Sequence, residues 1–112
     1  MNETTKRIWI SFEIPILVEM ILTEIAAANE IDLLKIISDI IYQKTKIEID
    51  ASDIRIKINK HNQFLEYISL EIPKNKAVEL TNKGKERNKS RQKLILEICE
   101  EFIKEEINIA KN

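Results

Sequence analysis

A chain with one glycine and two prolines among its 112 residues has few places at which to turn sharply. Those two residue types punctuate local structure more strongly than any others, so long regular elements joined by short connections are expected. The length suits a single domain with a genuine core, and isoleucine, at 23 of the residues, supplies it. The spacing of the isoleucines then separates strands from helices.

Residues 1–6 are polar and read as a flexible tail. From Arg7 to Ile14, the side chains of Ile8, Ile10, Phe12 and Ile14 fall on alternate positions, the pattern of a half-buried strand that stops at Pro15. Trp9 lies on the other side, so both faces are expected to be covered, as a subunit contact would do. From Ile16 to about Ala28 the period turns helical, with Leu17, Met20, Ile21 and Ile25 in one stripe. Ile16, Val18 and Leu22 widen it past an ordinary core face, which suits a helix central to the core or shared between subunits. Asp32 caps a second helix, Leu33 to about Lys44, with Leu33, Ile36, Ile37, Ile40 and Ile41 along one side. A last helix starts near Asn82 or Lys89 and reaches about Ala110. Its stripe is Leu94, Ile95, Ile98, Phe102 and Ile109, and its length exceeds a small core, so these five residues are assigned to a homodimer contact.

Residues 45–64 read in two ways. Ile47 and Ile49 suggest a short strand, and Asp50-Ala51-Ser52-Asp53 is a helix-start signal. Beyond it Ile54, Ile56 and Ile58 alternate as a strand would, while Ile54, Ile58, His61 and Leu65 fall on one helix face. The helix would point Arg55, Asn59, Lys60, Asn62 and Gln63 outward, residue types that contact bases and phosphates. The strand would pair 53–58 with 64–72 and leave no such helix.

Several chemistries find no support. Cys99 and His61 are each the single residue of their type, too few for a zinc site or an internal disulfide. Gly84 alone cannot make a phosphate loop. Carboxylates abound without a His, Cys or Ser arrangement that would use them, so neither an enzyme nor a metal or cofactor site is expected. Lys6-Arg7 followed by an apolar run imitates a signal peptide, but Glu13, Glu19 and Glu24 interrupt the run, and a cytoplasmic protein without a membrane span is expected. Charge is uneven. Residues 1–52 carry a net of −4, residues 53–93 a net of +6 and residues 94–112 a net of −3. A basic middle between acidic ends suggests a local anion-binding face.

Tyr67-Ile68, then Lys74-Asn75-Lys76, then Leu80-Thr81-Asn82-Lys83-Gly84-Lys85-Glu86 resembles the wing and following helix of winged helix-turn-helix proteins of the MarR and PadR kind. That resemblance implies a recognition helix at 51–64, a basic hairpin wing at 65–81 and a dimerisation helix at 82–112, on a core spanning 7–81. It implies a small dimeric transcription regulator, or a DNA-segregation adaptor of the kind used in plasmid partition. Arg55, Asn59, Lys60, Asn62 and Gln63 would enter the major groove. Lys74, Asn75 and Lys76 would follow the minor groove or backbone, and Lys83, Lys85, Arg87 and Arg91 would neutralise phosphates.

A competing pattern uses both prolines. Ile10-Ser11-Phe12-Glu13-Ile14-Pro15 returns as Ile68-Ser69-Leu70-Glu71-Ile72-Pro73, and each copy is followed at the same distance by a capping residue, Asp32 or Ser90. Strand, helix, turn, helix is similar to ribbon-helix-helix repressors, and Asn88-Lys89-Ser90-Arg91-Gln92-Lys93-Leu94-Ile95, then Phe102, resembles their second helix. That family places a strand pair in the major groove. Against it, Lys74 to Arg87 has almost no apolar stripe and contains Gly84. The remaining alternative is a protein-interaction module, in which 45–81 form a β-meander on helices and the apolar N-terminal helix docks a partner.

Overall fold

The structure, a computed structural model, describes residues 6–111, with side chains as far as residue 108. Strand β1 (Arg7–Pro15) runs directly into helix α1 (Ile16–Ala28), and a tight turn leads to α2 (Leu33–Thr45). A linker with one 3-10 turn at Ala51–Asp53 precedes the hairpin strands β2 (Arg55–Lys60) and β3 (Leu65–Pro73). Helices α3 (Lys74–Glu86) and α4 (Arg91–Lys111) follow. The class is α+β: among the described residues, four helices cover one face of a three-stranded antiparallel sheet in the order β1-β3-β2.

The echo in the sequence extends far beyond six residues. β1–α1–α2 and β3–α3–α4 are one unit used twice, displaced by the 58 residues that separate Ser11 from Ser69. Each strand has 9 residues and ends in proline, and each first helix has 13. Proline ends the ladder because it has no N–H, and its fixed φ, here −59° and −58°, sets the chain for a helical turn. β1 and β3 pair with Ser11 opposite Ser69. A pseudo-twofold axis therefore passes between these serines, whose hydroxyls hydrogen-bond at 2.7 Å.

The core obeys the same axis. Ile10, Phe12 and Ile14 of β1 match Ile68, Leu70 and Ile72 of β3, and all six are buried beneath the helices. Leu22 matches Leu80, Ile37 matches Ile95, and Ile40 matches Ile98. Each such side chain contributes about 1.5–3 kcal/mol by leaving water. The helix–helix turns match as well. Ala26 O accepts from the amides of Asn29 and Ile31, and Gly84 O from those of Arg87 and Lys89. Both turns pass through the left-handed region, at Glu30 (φ 59°) and Asn88 (φ 58°). The second corner is the tighter, since a Cβ on Gly84 would lie 2.4 Å from Lys89 O.

Several expectations need correction. No recognition helix exists at 51–64: after the short 3-10 turn, residues 55–60 hydrogen-bond to β3 as a strand, their register running from Arg55 opposite Glu71 to Lys60 opposite Glu66. The wing at 65–81 is half right, being a strand to Pro73 and then a helix where a basic turn and return strand were expected. α3 buries Ala77, Leu80 and Gly84, and the glycine lets its last turn approach the Lys89–Ser90 backbone that leads into α4. Ile47 and Ile49 are buried in the linker without forming a strand. The proposed dimerisation residues Leu94, Ile95 and Ile98 lie in the chain's own core, because α4 packs against all three other helices and β1. Phe102 packs half-buried on that core. The side chain of Ile109, and the tail at residues 1–5, lie outside the described residues. Cys99 is buried, and burial pushes its thiol up to about 12. No described helix is long and apolar enough to cross a membrane.

Candidate nucleic-acid interface

Alternation along the strands sends every second side chain away from the helices. On this outward face β1 presents Arg7, Trp9, Ser11 and Glu13, β3 presents Tyr67, Ser69 and Glu71, and β2 presents Arg55, Lys57 and Asn59. Trp9 and Tyr67 occupy equivalent positions about the pseudo-axis and keep 40 % and 41 % of their surface exposed. Each has a nitrogen-bearing neighbour. Lys57 Nζ lies 4.8 Å from the Trp9 ring centroid, and the His61 ring meets Tyr67 edge-on at 5.1 Å.

The two carboxylates of the face are both engaged. Glu71 Oε1 receives Arg7 Nε at 2.8 Å and Arg55 Nη1 at 3.1 Å, and Arg7 also donates to the carbonyls of Glu71 and Asp53. Glu13 stands 3.6 Å from His61 Nε2, an ion pair whenever the imidazole carries its second proton. Lys57 has no carboxylate partner among the described ion pairs, so its charge is offered to solvent and to the Trp9 ring. The arrangement is a shallow platform of hydroxyls, two aromatic rings and surplus positive charge. Such groups can donate to base edges and phosphates, accept from a cytosine amino group and touch a thymine methyl.

The residues expected from the sequence do not come together as one groove-facing set. Arg55 and Asn59 join the outward face. Lys60 lies on the inner side of the same strand, opposite the buried Glu66. Asn62 builds the hairpin turn, its Oδ1 accepting from the amides of Phe64 and Leu65, with exposed Gln63 beside it. Lys74, Asn75 and Lys76 form the first turn of α3, where Lys76 meets Glu79 at 3.5 Å. Lys83 pairs with Glu86 at 3.4 Å, and Lys85 is exposed near the end of the same helix. Arg87 bridges Glu97 and Glu101, and Arg91 donates to Thr81 Oγ1. Lys89 and Arg87 together hold the Glu97 carboxyl below its ordinary range. Arg7, Trp9, Ser11, Glu13, Lys57, Tyr67, Ser69 and Glu71 lie outside the set expected from the sequence; alternation marks their side, but only the pairing register puts them beside one another.

Glu66 on the inner side is a buried carboxyl. It is 3 % exposed, its Oε1 has no hydrogen-bond partner, and burial, with the nearby Glu19 carboxyl, raises its pKa. No group of three or more His, Cys, Asp or Glu among the described residues could hold a metal. Comparison with protein-family models, with curated proteins and with solved structures gave no match.

Proposed function

We propose that the chain binds double-stranded DNA by laying the β1–β3 ribbon in the major groove, as a small regulator or segregation adaptor. The observation that carries this reading is the duplicated strand–helix–helix unit, paired about Ser11 and Ser69. It builds within one chain a two-stranded ribbon on four helices, the arrangement that the resemblance to ribbon-helix-helix repressors implies, while the recognition helix of the winged alternative has no counterpart. A two-stranded ribbon fits the major groove, and strand readers use its outward side chains. Trp9, Ser11, Glu13, Tyr67, Ser69 and Glu71 are then the base-facing residues, and Arg7, Arg55 and Lys57 supply the charge.

The test is fluorescence anisotropy of labelled duplex, with the genomic DNA next to the gene and with random duplex, over a salt series. Expected are salt-dependent binding to both and tighter binding to one, with the preference lost in Ser11→Ala/Ser69→Ala and Trp9→Ala. Non-specific duplex binding has a Kd of about 10⁻⁴–10⁻⁶ M at physiological salt. Absence of even that at low salt would overturn the proposal.

A second reading is favoured by α1. Leu17 is 69 % exposed and Met20 is exposed beside it, while Phe64, 70 % exposed, adjoins the helix start through the Ile16 N–Phe64 O hydrogen bond. The equivalent of Leu17 on α3 is Asn75, so the fold itself does not require an apolar residue there. This patch suits a protein partner.

A further inference from the structure

We propose that a single copy of the chain reads a non-palindromic duplex site, with β2 lying along the phosphates of one groove wall only. The proposal rests on the duplex-binding reading above and adds to it which sites are read and how many copies are needed.

In a symmetric dimer the two halves are identical, and the operator mirrors that twofold in its own palindromy. Here both halves belong to one chain, so nothing forces them to be equal, and on the reading face they are not. Trp9, opposite Glu71, has Tyr67, opposite Glu13, as its counterpart about the axis, and Arg7 has Leu65. The larger difference is a whole strand. β2 pairs with β3, and no described strand occupies the equivalent place beside β1.

Width decides where β2 must go. Neighbouring strands are about 4.8 Å apart, and the major groove is about 12 Å wide. Two strands with their side chains fill that opening. Three strands span about 10 Å between their outer axes before any side chain is counted, so the third cannot descend with the other two. With β1 and β3 in the groove, β2 rests on the lip beside β3. Arg55, Lys57 and Asn59 stand on the same side of the sheet as the ribbon's base-facing residues, Arg55 against Glu71 and Lys57 over the Trp9 ring. From β2 they would turn to the sugar-phosphate backbone of that wall when duplex binds. The opposite wall, beside β1, receives no such strand. The corners before the second helices carry a matching imbalance, with Asn29-Glu30-Ile31-Asp32 in one half and Arg87-Asn88-Lys89-Ser90 in the other.

The experiment uses the full chain and a random duplex library. Bound sequences are selected, the mass of the complex on a selected duplex is measured, and phosphate-ethylation interference is mapped. Expected are one chain per duplex, a consensus without dyad symmetry, and an additional run of interfering phosphates on one side. Lys57→Gln, an exposed change confirmed as folded by its melting curve, should remove part of that run. It should weaken all duplexes alike and reduce the slope of log K against log salt by about 0.9, the contribution of one neutralised phosphate. Two chains on a palindrome, or interference equal on both sides, would overturn this inference and leave duplex binding intact. Selection of no duplex at all would remove both.

Discussion

Residues 7–45 and 65–103 fold alike from sequences that agree closely only around the two prolines. Comparing them separates what the fold requires from what each half adds. Required are the inward apolar positions of the ribbon, the leucine at 22 and 80, and the buried face of the second helices. Three additions stand out. Gly84 replaces Ala26 at the inter-helix corner, Glu66 replaces Ile8 on the inner side of the ribbon, and α1 carries apolar residues where α3 carries polar ones. Each half is thus a control for the other, and copying a residue across the axis tests what its counterpart does.

The largest effect is expected at the corner. Gly84→Ala copies Ala26 into a site where the new Cβ meets backbone, which cannot swing aside. A loss of about 3 kcal/mol, toward the upper end of ordinary overpacking costs, should appear in urea unfolding. Ala26→Gly should cost about 1 kcal/mol, the usual helix penalty. Equal losses would mean that the two corners do not differ in tightness.

Glu66→Ile copies Ile8 and removes a buried carboxyl oxygen that has no partner. A gain of about 1–3 kcal/mol at neutral pH is expected from removing that unsatisfied group. The sign of the pH dependence follows from the raised folded-state pKa. The folded chain keeps a proton that the unfolded chain releases, so native stability is lost as pH rises from 4.5 through the raised value. Thermal melts of the wild-type chain should show that decline, and Glu66→Ile should flatten it. A variant gain independent of pH would assign the benefit to packing alone.

Glu30→Asn copies Asn88 at a left-handed position, where asparagine is better tolerated than a longer side chain. A gain of roughly 0.5–1 kcal/mol is expected in the same unfolding assay, below the full cost of that conformation. The smallest effect on stability belongs to Leu17→Asn, which copies Asn75. A change within about 0.5 kcal/mol is expected for such an exposed site. Should α1 dock a protein, a purified partner's affinity would fall sharply in this variant while duplex binding stayed the same.

The same comparison explains what the sequence could disclose. α1 and α2 were legible nearly to the residue, because large apolar side chains repeat at helical spacing and Asp32 caps the second. α3 was faint, reached only by the ribbon-helix-helix pattern over Lys74 to Arg87, since Ala77 and Gly84, which share its buried face with Leu80, are small and carry almost no hydrophobic signal even where they permit close packing. Lys74-Asn75-Lys76 after a proline therefore read as a turn. In residues 54–58 the isoleucines satisfied both periods. Pairing with β3 settles the matter, and that is a long-range fact with no local trace. The candidate face was partly visible in the outward position of Trp9. Its partners Lys57, Tyr67 and Ser69 come from other strands, and alignment of Ser11 with Ser69 is what brings them together.

Cys99 gives the molecule a built-in reporter. It lies on α4 at the position equivalent to Ile41, sealed from water, and its thiol resists ionisation. A thiol-specific reagent can reach it only when the helix lifts away, since the thiolate is the reactive species and must be exposed. In the regime where reclosing outpaces labelling, the modification rate measures the equilibrium population of the open form without engineering a probe. Adding duplex to the same reaction then asks whether a ligand on the far side of the sheet lowers that population.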